Sequence, residues 1–454
     1  MSRVEEQASP RPGSGAGPRF SGLWRHPDFM RLWVGQTVSE FGSTLTSMGI
    51  PLTALLVLGA TPIQLGLLTA LTSAPVLVFG LIAGVWVDRL RRRPIMMAAD
   101  VGRALLLGTI PLAALWGALR VEHLYAVAAL TGALTVFFEV AYRSYLPSLV
   151  ERENIVEGNS KLGLSSSLVE IFGDGLAGFL VQALTAPIAI LVDALTFVFS
   201  ALSLALIRKP EPAPDLGVTG DEGRVTQQRD REPRNKLTPD TRQPGAIAQG
   251  LKAVLGSPIL RAMAGAAATQ RFFGNFIGTL YTLYGIRELG MGPALIGVLI
   301  GLGGVSSLVG SLLVQRVVRR FGIGAALIGN LSVIGLMAML IPLAGGPLWT
   351  ATAIMAASQL FGDASWTIYD ITTLSLRQSV TPERLLGRTN ATMHLIGAGV
   401  GPVGAIIGGV LGEMIGIRPT LALGALGILS SVLWLIFSPI RTLREYPPLV
   451  ADSE

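Results

Sequence analysis

The chain has 454 residues, of which 50% are apolar and 14% charged, with a formal net charge of +6 and a mean hydropathy of +0.57. A soluble domain carries about 25% charged residues, so this composition excludes an ordinary soluble protein and indicates many membrane spans. Cysteine is absent, which excludes disulfides, thiolate catalysis and thiolate metal sites.

The predicted elements begin after a polar N-terminal stretch. Residues 1–24 are rich in proline and glycine and contain no apolar run, so we expect a disordered cytoplasmic tail and no cleavable signal peptide. A helix needs about 20 apolar residues to cross a bilayer. Twelve such segments are predicted, at residues 29–58, 62–88, 95–118, 122–146, 161–184, 186–207, 259–286, 292–316, 322–344, 348–376, 386–415 and 419–440.

Basic residues are distributed unevenly over these twelve spans. Most of the 35 lysines and arginines fall in the tails, in alternate loops or at the helix ends beside those loops. Arg120, Arg287 and Arg418 face the other side, and Arg271 lies inside a span. Because lysine and arginine are retained on the cytoplasmic side, we expect a multi-pass protein of the cell (plasma or inner) membrane with both termini in the cytoplasm. The same rule explains the high pI without nucleic-acid binding.

A polar stretch separates spans six and seven. It reads as a flexible linker to about residue 242. After it, Ile247, Leu251 and Val254 recur at helical spacing beside Lys252, which suits a helix on the membrane surface; the alternative is a solvated linker end. The predicted organisation is a tail (1–24), a six-helix bundle (25–208), a linker with a possible surface helix (209–255), a second six-helix bundle (256–442) and a tail (443–454).

The two halves carry a weak internal repeat. A shift of 231 residues aligns 139–180 with 370–411 without a gap. It pairs Glu139 with Asp370, Asn159 with Asn390, Gly173 with Gly404 and Gly178 with Gly409. Parallel halves related by an axis along the membrane normal are one known transporter architecture. We therefore predict an all-α membrane protein with 12 transmembrane helices in two pseudo-symmetric six-helix bundles.

The loop between spans two and three is short and strongly basic. Its charged pattern consists of Gly84, Asp88, Arg89, Arg92 and Arg93. This pattern resembles the loop signature of the major facilitator superfamily, with Arg91 in the place of a second glycine. Segments 25–29, 142–147 and 193–197 are similar to the branch that contains enterobactin exporters and macrolide efflux pumps. The resemblance implies the major facilitator fold and export of a small molecule by alternating access.

We interpret this loop as a gate. Asp88 is placed to accept hydrogen bonds from the N-terminus of a neighbouring helix, where unpaired N–H groups favour an anion. Arg89 and Arg92 are expected to pair with acids at the inner ends of spans, with Glu139 and its counterpart Asp370 as inner-gate acids. The cluster would then lock the outward-facing state. The alternative is that these charges act only as a topology signal.

Ionisable side chains inside the bilayer are costly and usually mark a transport pathway. The candidates are Glu40, Glu170, Asp174, Asp193, Arg271, Asp363 and Asp370. Asp100 and Arg103 lie one turn apart near the inner end of span three, and we interpret them as a structural pair.

Glu40 and Arg271 lie at similar depth in the opening spans of the two halves. We expect them to face each other across a central cavity, with Asp174 and Asp363 as alternative partners of the arginine. An acid in an apolar cavity keeps its proton to higher pH than in water. Glu40, or secondarily Asp174, is therefore the predicted proton-coupling site; the alternative for each is a fixed ion pair or a wall residue.

These features predict a secondary active exporter of a small amphipathic compound (a drug, macrolide or siderophore-like molecule) by proton antiport. The alternative within transport is a proton-independent facilitator or lysophospholipid flippase. Enzymatic activity is not expected, because cysteine is absent and the three histidines are scattered. A nucleotide-driven pump is disfavoured since no phosphate-binding loop motif occurs. We expect a monomer whose partners are the substrate, protons and the lipid bilayer, with no cofactor, metal or nucleic acid.

Overall fold

The computed structural model of the protein describes residues 22–211 and 246–447, and these are helical almost throughout. Most of the predicted N-terminal tail, the linker between 212 and 245, and residues 448–454 lie outside the described residues. The helices of the first half are α1 (Pro27–Leu56), α2 (Pro62–Arg89), α3 (Arg92–Leu115), α4 (Val121–Leu149), α5 (Ile155–Leu184) and α6 (Ala186–Ala205).

The second half begins with a short helix and repeats the long ones. Its helices are α7 (Ala246–Gly256), α8 (Pro258–Arg287), α9 (Pro293–Phe321), α10 (Ile323–Leu343), α11 (Leu348–Val380), α12 (Glu383–Met414), α13 (Ile417–Ser430) and α14 (Val432–Ile436). Within the described residues, nine helical segments are long and apolar enough to cross a membrane. The long helices α1, α8 and α11 fall below that threshold, and they carry Glu40, Arg271 and Asp363.

Several helix starts follow directly from local sequence. The N-terminus of α2 is closed by a capping box, in which Thr61 Oγ1 accepts from the Gln64 backbone and Gln64 Oε1 accepts from the Thr61 backbone. Proline follows at the first helical position, where its missing N–H group costs nothing. Ser257 caps α8 by a single hydrogen bond, which its Oγ accepts from the Leu260 backbone, and Pro258 follows. These signals place the helix starts close to where the sequence predicts them.

The twelfth predicted span is not one continuous helix. It is divided into α13 and α14 at Ser431. The hydroxyl groups of Ser430 and Ser431 donate to the carbonyl oxygens of Gly427 and Ile428, at 2.7 and 2.5 Å. Serine side chains that bond back to the preceding turn weaken and bend helices, which explains the break inside an otherwise apolar segment.

Helices α1–α6 form one bundle and α8–α14 form the other. In the first, here the N-bundle, α1 packs on α5 and α6, and α3 packs on α4 and α6. In the second, the C-bundle, α8 packs on α12 and α13, and α9 and α10 pack on α11. The main contacts between the bundles are α2 with α12 and α5 with α9.

The bundles meet at one end. The end that carries the α2–α3 turn and α7 is called the basic end, and the bundles touch at the end opposite to it. There Gly178 approaches α9 so closely that an added Cβ would lie 2.6 Å from the Pro293 carbonyl oxygen, and Gly409 approaches Pro62 likewise at 2.7 Å. Near the basic end of α2, Gly80 and Gly84 have no such neighbour within 4 Å. The bundles are therefore closed at the opposite end and parted at the basic end.

The two contacts are related by the repeat in the sequence. A separation of 231 residues relates Gly178 to Gly409, Pro62 to Pro293 and Gly66 to Gly297. Gly178 contacts Pro293 and Gly297, and Gly409 contacts the equivalent residues Pro62 and Gly66. The same spacing relates Glu40 to Arg271. The pseudo-symmetry of the sequence is thus expressed in the interface between the bundles.

At one helix contact the small and the large residue lie on opposite helices in the two bundles. In the N-bundle, Gly42 on α1 leaves a notch that holds Asp193 and Thr196 of α6. In the C-bundle the equivalent of Gly42 is Phe273, and Gly427 on α13 stands where Thr196 would align, so the notch is on the other helix.

The short helix α7 packs against α8 and α12 at the basic end. Val254 is fully buried there, and Gln249 Oε1 accepts a hydrogen bond from the Arg388 guanidinium. Leu251 and Lys252 are exposed. The helix therefore lies on the surface of the C-bundle.

Replacing Gly178 by valine is expected to shift the protein away from the described conformation, because the new side chain overlaps the α9 backbone. Overpacking of this kind costs about 1–3 kcal/mol, and about 1.4 kcal/mol is a tenfold change in population. The measurement is thiol labelling of a single cysteine at Asn275, which lines the C-bundle cavity, in a chain that has no other cysteine. Labelling from the basic side should slow about tenfold.

The matched control is Gly80→Val, since Gly80 has no neighbour within 4 Å. It should label at the wild-type rate. Equal labelling of Gly178→Val and wild type would contradict the assigned closure.

Candidate functional site

Two cavities lie inside the bundles and meet at Gly278. The N-bundle cavity has a volume of about 470 Å³ and is lined by α1, α2, α3, α4 and α6. The C-bundle cavity has a volume of about 420 Å³ and is lined by α8, α10, α11 and α13. Both are large enough for part of a small organic molecule. Charged side chains at their walls are Arg103, Glu139 and Asp193 in the first and Arg271 and Asp363 in the second.

The C-bundle cavity brings together two of the predicted site residues, Arg271 and Asp363. Amide side chains, among them Gln270 and Asn275, and the indole of Trp366 complete its polar wall. Asp363 packs against Gly303 of α9. Among the described residues, no carboxylate lies within ion-pair distance of the exposed Arg271, so its guanidinium faces the cavity.

The structure does not bring Glu40 and Arg271 together. Glu40 is half-buried, and its Oε2 accepts a hydrogen bond from Ser166 Oγ on α5 at 3.0 Å. Asp174 is also half-buried on α5, at the place where this helix meets Gly297. Both acids therefore belong to the α1–α5 side of the N-bundle, whereas Arg271 belongs to the C-bundle cavity.

A buried ion cluster occupies the N-bundle between α3 and α6. Arg103 forms an ion pair with Asp100, and both are almost completely buried. The guanidinium carbon lies 4.1 Å from the ring centroid of Phe197 and 4.4 Å from that of Phe138, so two aromatic faces hold it. Asp193, also fully buried, is near enough to Arg103 to attract it.

Most residues of the basic loop belong to the end of α2 or the start of α3. Gly84 and Asp88 lie in the last turns of α2 and Arg89 ends it; the predicted contacts of the Asp88 carboxylate lie outside the described part of the structure. Arg89 is exposed. Arg93 donates to the carbonyl oxygens of Leu204 and Ala205 at 2.8 and 2.6 Å. It thereby caps α6.

The anion at the N-terminus of α3 is Glu211. Its two carboxylate oxygens accept from the backbone N–H groups of Arg92 and Arg93 at 2.7 and 3.2 Å. Such an arrangement satisfies unpaired donors and favours the helix dipole. The sequence predicted this kind of contact for Asp88, and the start of the linker supplies it here.

The two predicted inner-gate acids are exposed on their helices. Glu139 on α4 lies 3.8 Å from Arg143, one turn along the same helix, and no described residue of the α2–α3 loop reaches it within ion-pair distance. Asp370 on α11 lies two turns before Arg377. In this conformation neither acid is engaged by the loop.

The sequence predicts Asp193 as one of several intramembrane pathway charges and Arg103 as half of a structural pair, and the structure places both on the wall of the N-bundle cavity. The sequence signal that could have linked them is that α3 and α6 belong to the same half and each carry an ionisable residue inside an apolar segment.

Comparison with known proteins places the chain in a family. The family model described as Major Facilitator Superfamily matches residues 32–405. The chain is 28% identical over 176 residues to the uncharacterized transporter YfiS of Bacillus subtilis, and 27% identical over 183 residues to macrolide efflux protein A of Streptococcus pyogenes. These matches cover 38% and 40% of this chain, and only 41% and 45% of those relatives.

A third relative aligns over nearly its whole length. Enterobactin exporter EntS of Salmonella choleraesuis is 24% identical over 95% of this chain and 97% of its own.

Solved structures agree with the fold. A bacterial homologue of the iron transporter ferroportin in its inward-facing state superposes with a TM-score of 0.69, at 18% identity over 92% of this chain and 99% of its own. Its outward-facing state gives 0.51, at 17% identity over 90% and 98%. The described residues contain no group of three His, Cys, Asp or Glu side chains placed to hold a metal ion, and the likeness is one of fold.

Replacing Asp100 by asparagine is expected to destabilise the protein strongly, because it leaves the buried Arg103 without its counter-charge. Breaking a buried pair costs about 3–5 kcal/mol, which for a chain of this length corresponds to a fall in unfolding temperature of roughly 3–5 °C. Thermal unfolding of the purified protein, followed by tryptophan fluorescence, measures it.

Two comparisons make this result specific. Glu288→Gln breaks the partly exposed Arg418–Glu288 pair and should cost less than about 1 kcal/mol. The double variant Asp100→Leu with Arg103→Ile copies the equivalent C-bundle residues Leu331 and Ile334 and should recover most of the loss. An Asp100→Asn variant as stable as wild type would contradict the assignment of a stabilising buried ion pair.

Proposed function

The chain belongs to the major facilitator superfamily, and from this premise we propose that it is a secondary active exporter. Its substrate is a small amphipathic compound of drug, macrolide or siderophore-like type, and export is driven by exchange for protons. The two bundles open the cavities to one side of the membrane at a time. The chain acts as a monomer of the cell membrane and needs no cofactor.

The environment of Glu40 is the observation that carries proton exchange. This carboxylate lies in the middle of α1, half-buried, with the neutral hydroxyl of Ser166 as its hydrogen-bond partner. A carboxylate held by a hydroxyl can gain and lose a proton without breaking an ion pair. Asp174, half-buried on α5, is the second candidate for the same task.

The basic end is assigned to the cytoplasm. The α2–α3 loop with its arginines lies there, and positive charge is retained on that side of membranes. Since the bundles are parted at this end, the described conformation is the inward-facing one. The greater likeness to the inward-facing ferroportin homologue than to its outward-facing state supports this assignment.

Export as the direction of transport rests on the relatives. Enterobactin exporter EntS, by its name, exports enterobactin, and macrolide efflux protein A acts on macrolides. Both names describe outward movement of a substrate. Two cavities that meet at Gly278 offer room for an amphipathic compound.

Proton exchange is tested in proteoliposomes with an imposed pH gradient, to which dyes, macrolides and catecholate siderophores are added in turn. A substrate should collapse the gradient in the wild type, and Glu40→Gln should reduce this movement more than about tenfold because its amide binds no proton. Glu122→Gln, which removes an exposed acid at the far end of α4, should behave as wild type.

Substrate-driven proton movement that persists in both Glu40→Gln and Asp174→Asn would overturn the coupling assignment. Uptake of a compound by the wild type with no proton movement would favour the facilitator or lysophospholipid flippase.

The gate proposed for the basic loop is tested by Asp88→Asn. If the carboxylate stabilises the outward-facing state, in which the basic end is closed, its removal should slow transport about fivefold or more at equal expression. Thermal stability of the inward-facing protein should change little. The matched control is Arg91→Gln, which alters the charge of the same loop at the one position where this chain departs from the motif. Transport by Asp88→Asn at the wild-type rate would leave the loop as a topology signal.

A further inference from the structure

The wall of the N-bundle cavity is rich in hydroxyl groups whose protons are already used. Six such hydroxyl groups belong to Ser43, Ser47, Thr69, Thr72, Thr131 and Thr135. Each donates its hydroxyl proton to a carbonyl oxygen one turn earlier in its own helix, at distances of 2.6 to 2.9 Å. A hydroxyl that donates in this way retains only acceptor capacity. These six hydroxyls therefore offer acceptors, the donors in the same lining being Arg103 and the Thr46 hydroxyl, and this part of the wall favours a ligand that brings donors.

A carboxylate at the cavity wall adds to this preference. Asp193 is fully buried and lines the cavity. Its Oδ1 accepts from Thr196 Oγ1 at 3.0 Å, the Thr46 hydroxyl lies beside the carboxylate, and no hydrogen bond of normal geometry reaches the buried Oδ2. Leaving such an acceptor unpaired is unfavourable, so a donor placed near this wall is stabilised by the carboxylate.

The charges facing Asp193 leave the cavity with a net negative wall. Helix α3 presents Asp100 and Arg103, which neutralise each other as an ion pair. Helix α4 presents Glu139, whose partner Arg143 is exposed and 3.8 Å away. Asp193 itself has no ion-pair partner among the described residues. In an apolar interior such an excess of negative charge attracts a cation strongly.

The C-bundle provides an internal comparison for these charges. The residues equivalent to Asp100, Arg103 and Asp193 are Leu331, Ile334 and Gly424. Leu331 and Ile334 are buried in the apolar core of the C-bundle. A bundle of this architecture therefore packs without charges at these positions. The cluster in the N-bundle is not required by the fold, which points to a ligand.

We propose that the N-bundle cavity binds the protonated amine of an amphipathic organic cation, with Asp193 as its counter-charge. The inference rests on the proposed exporter function and specifies the class of its substrate. The volume of about 470 Å³ exceeds that of an inorganic cation, and Leu68, Leu107 and Phe197 in the wall suit an apolar body attached to the amine. Hydroxyl and carboxylate acceptors hold the N–H groups, and the apolar residues hold the remainder.

The experiment measures equilibrium binding to the purified protein in lipid nanodiscs, with no gradient and no transport. Three probes share one fluorophore and differ in charge: dansylcadaverine, a primary amine; its N-acetyl derivative, which is neutral; and dansylglycine, an anion. The wild type should bind the amine at least about tenfold more tightly than either of the others, because a charge-assisted hydrogen bond is lost in both. Asp193→Asn should remove that preference.

Glu122→Gln is the matched control, since it removes one carboxylate from the same bundle away from the cavity, and it should retain the preference. Thr72→Val removes one acceptor without changing charge and should weaken amine binding severalfold while leaving the neutral probe unaffected. If Asp193→Asn does not fold, this variant tests whether the cavity wall holds the amine. Equal binding of amine and neutral probe by the wild type, tighter binding of dansylglycine, or a preference retained in Asp193→Asn would overturn the proposal. Because no proton gradient is involved, these outcomes are independent of whether export is proton-coupled.

Discussion

The close approach of two helix pairs at one end of the molecule is the constraint on which the remaining architecture depends. Lipid offers no hydrophobic driving force between helices, so they associate through close packing of small residues. At the α5–α9 and α2–α12 crossings this packing is backbone against backbone, made possible by Gly178, Gly297, Gly66 and Gly409. Helices fixed together at that end diverge toward the basic end, and each bundle keeps its own cavity.

Charge is distributed on this nearly symmetric frame in an asymmetric way. The N-bundle cavity presents hydroxyls and carboxylates, with Arg103 neutralised by Asp100 and enclosed by two aromatic rings. The C-bundle cavity presents amides, the Asp363 carboxylate and the guanidinium of Arg271, which has no ion-pair partner among the described residues. Electrostatic interactions are strong in such surroundings. A solute that touches both walls therefore meets a different balance of charge and hydrogen-bonding groups on its two sides.

Much of the fold was predictable because hydropathy and positive charge report directly on the bilayer. The break at Ser431 was missed, since its cause is local hydrogen bonding inside an apolar segment. The pairing of Glu40 with Arg271 did not form, because equal depth in two bundles says nothing about how each helix is rotated about its axis. Glu211 caps α3 from 119 residues away, a contact that no sequence spacing indicates. Arg103 and Asp193 were visible as intramembrane charges, but their shared cavity depends on the packing of α3, α4 and α6.

Gly42 in the first half and Phe273 in the second occupy equivalent positions, and this difference shows how far the two halves have diverged. Each half has its notch on a different helix, and each fills it with a side chain of different chemistry. Two copies of the N-terminal half joined in tandem would duplicate the carboxylates and lose the phenylalanine, and two copies of the other half would lose the carboxylates altogether. Neither homodimer reproduces the polarity of the natural chain. The polarity of the natural chain therefore depends on two halves that differ in sequence at equivalent positions.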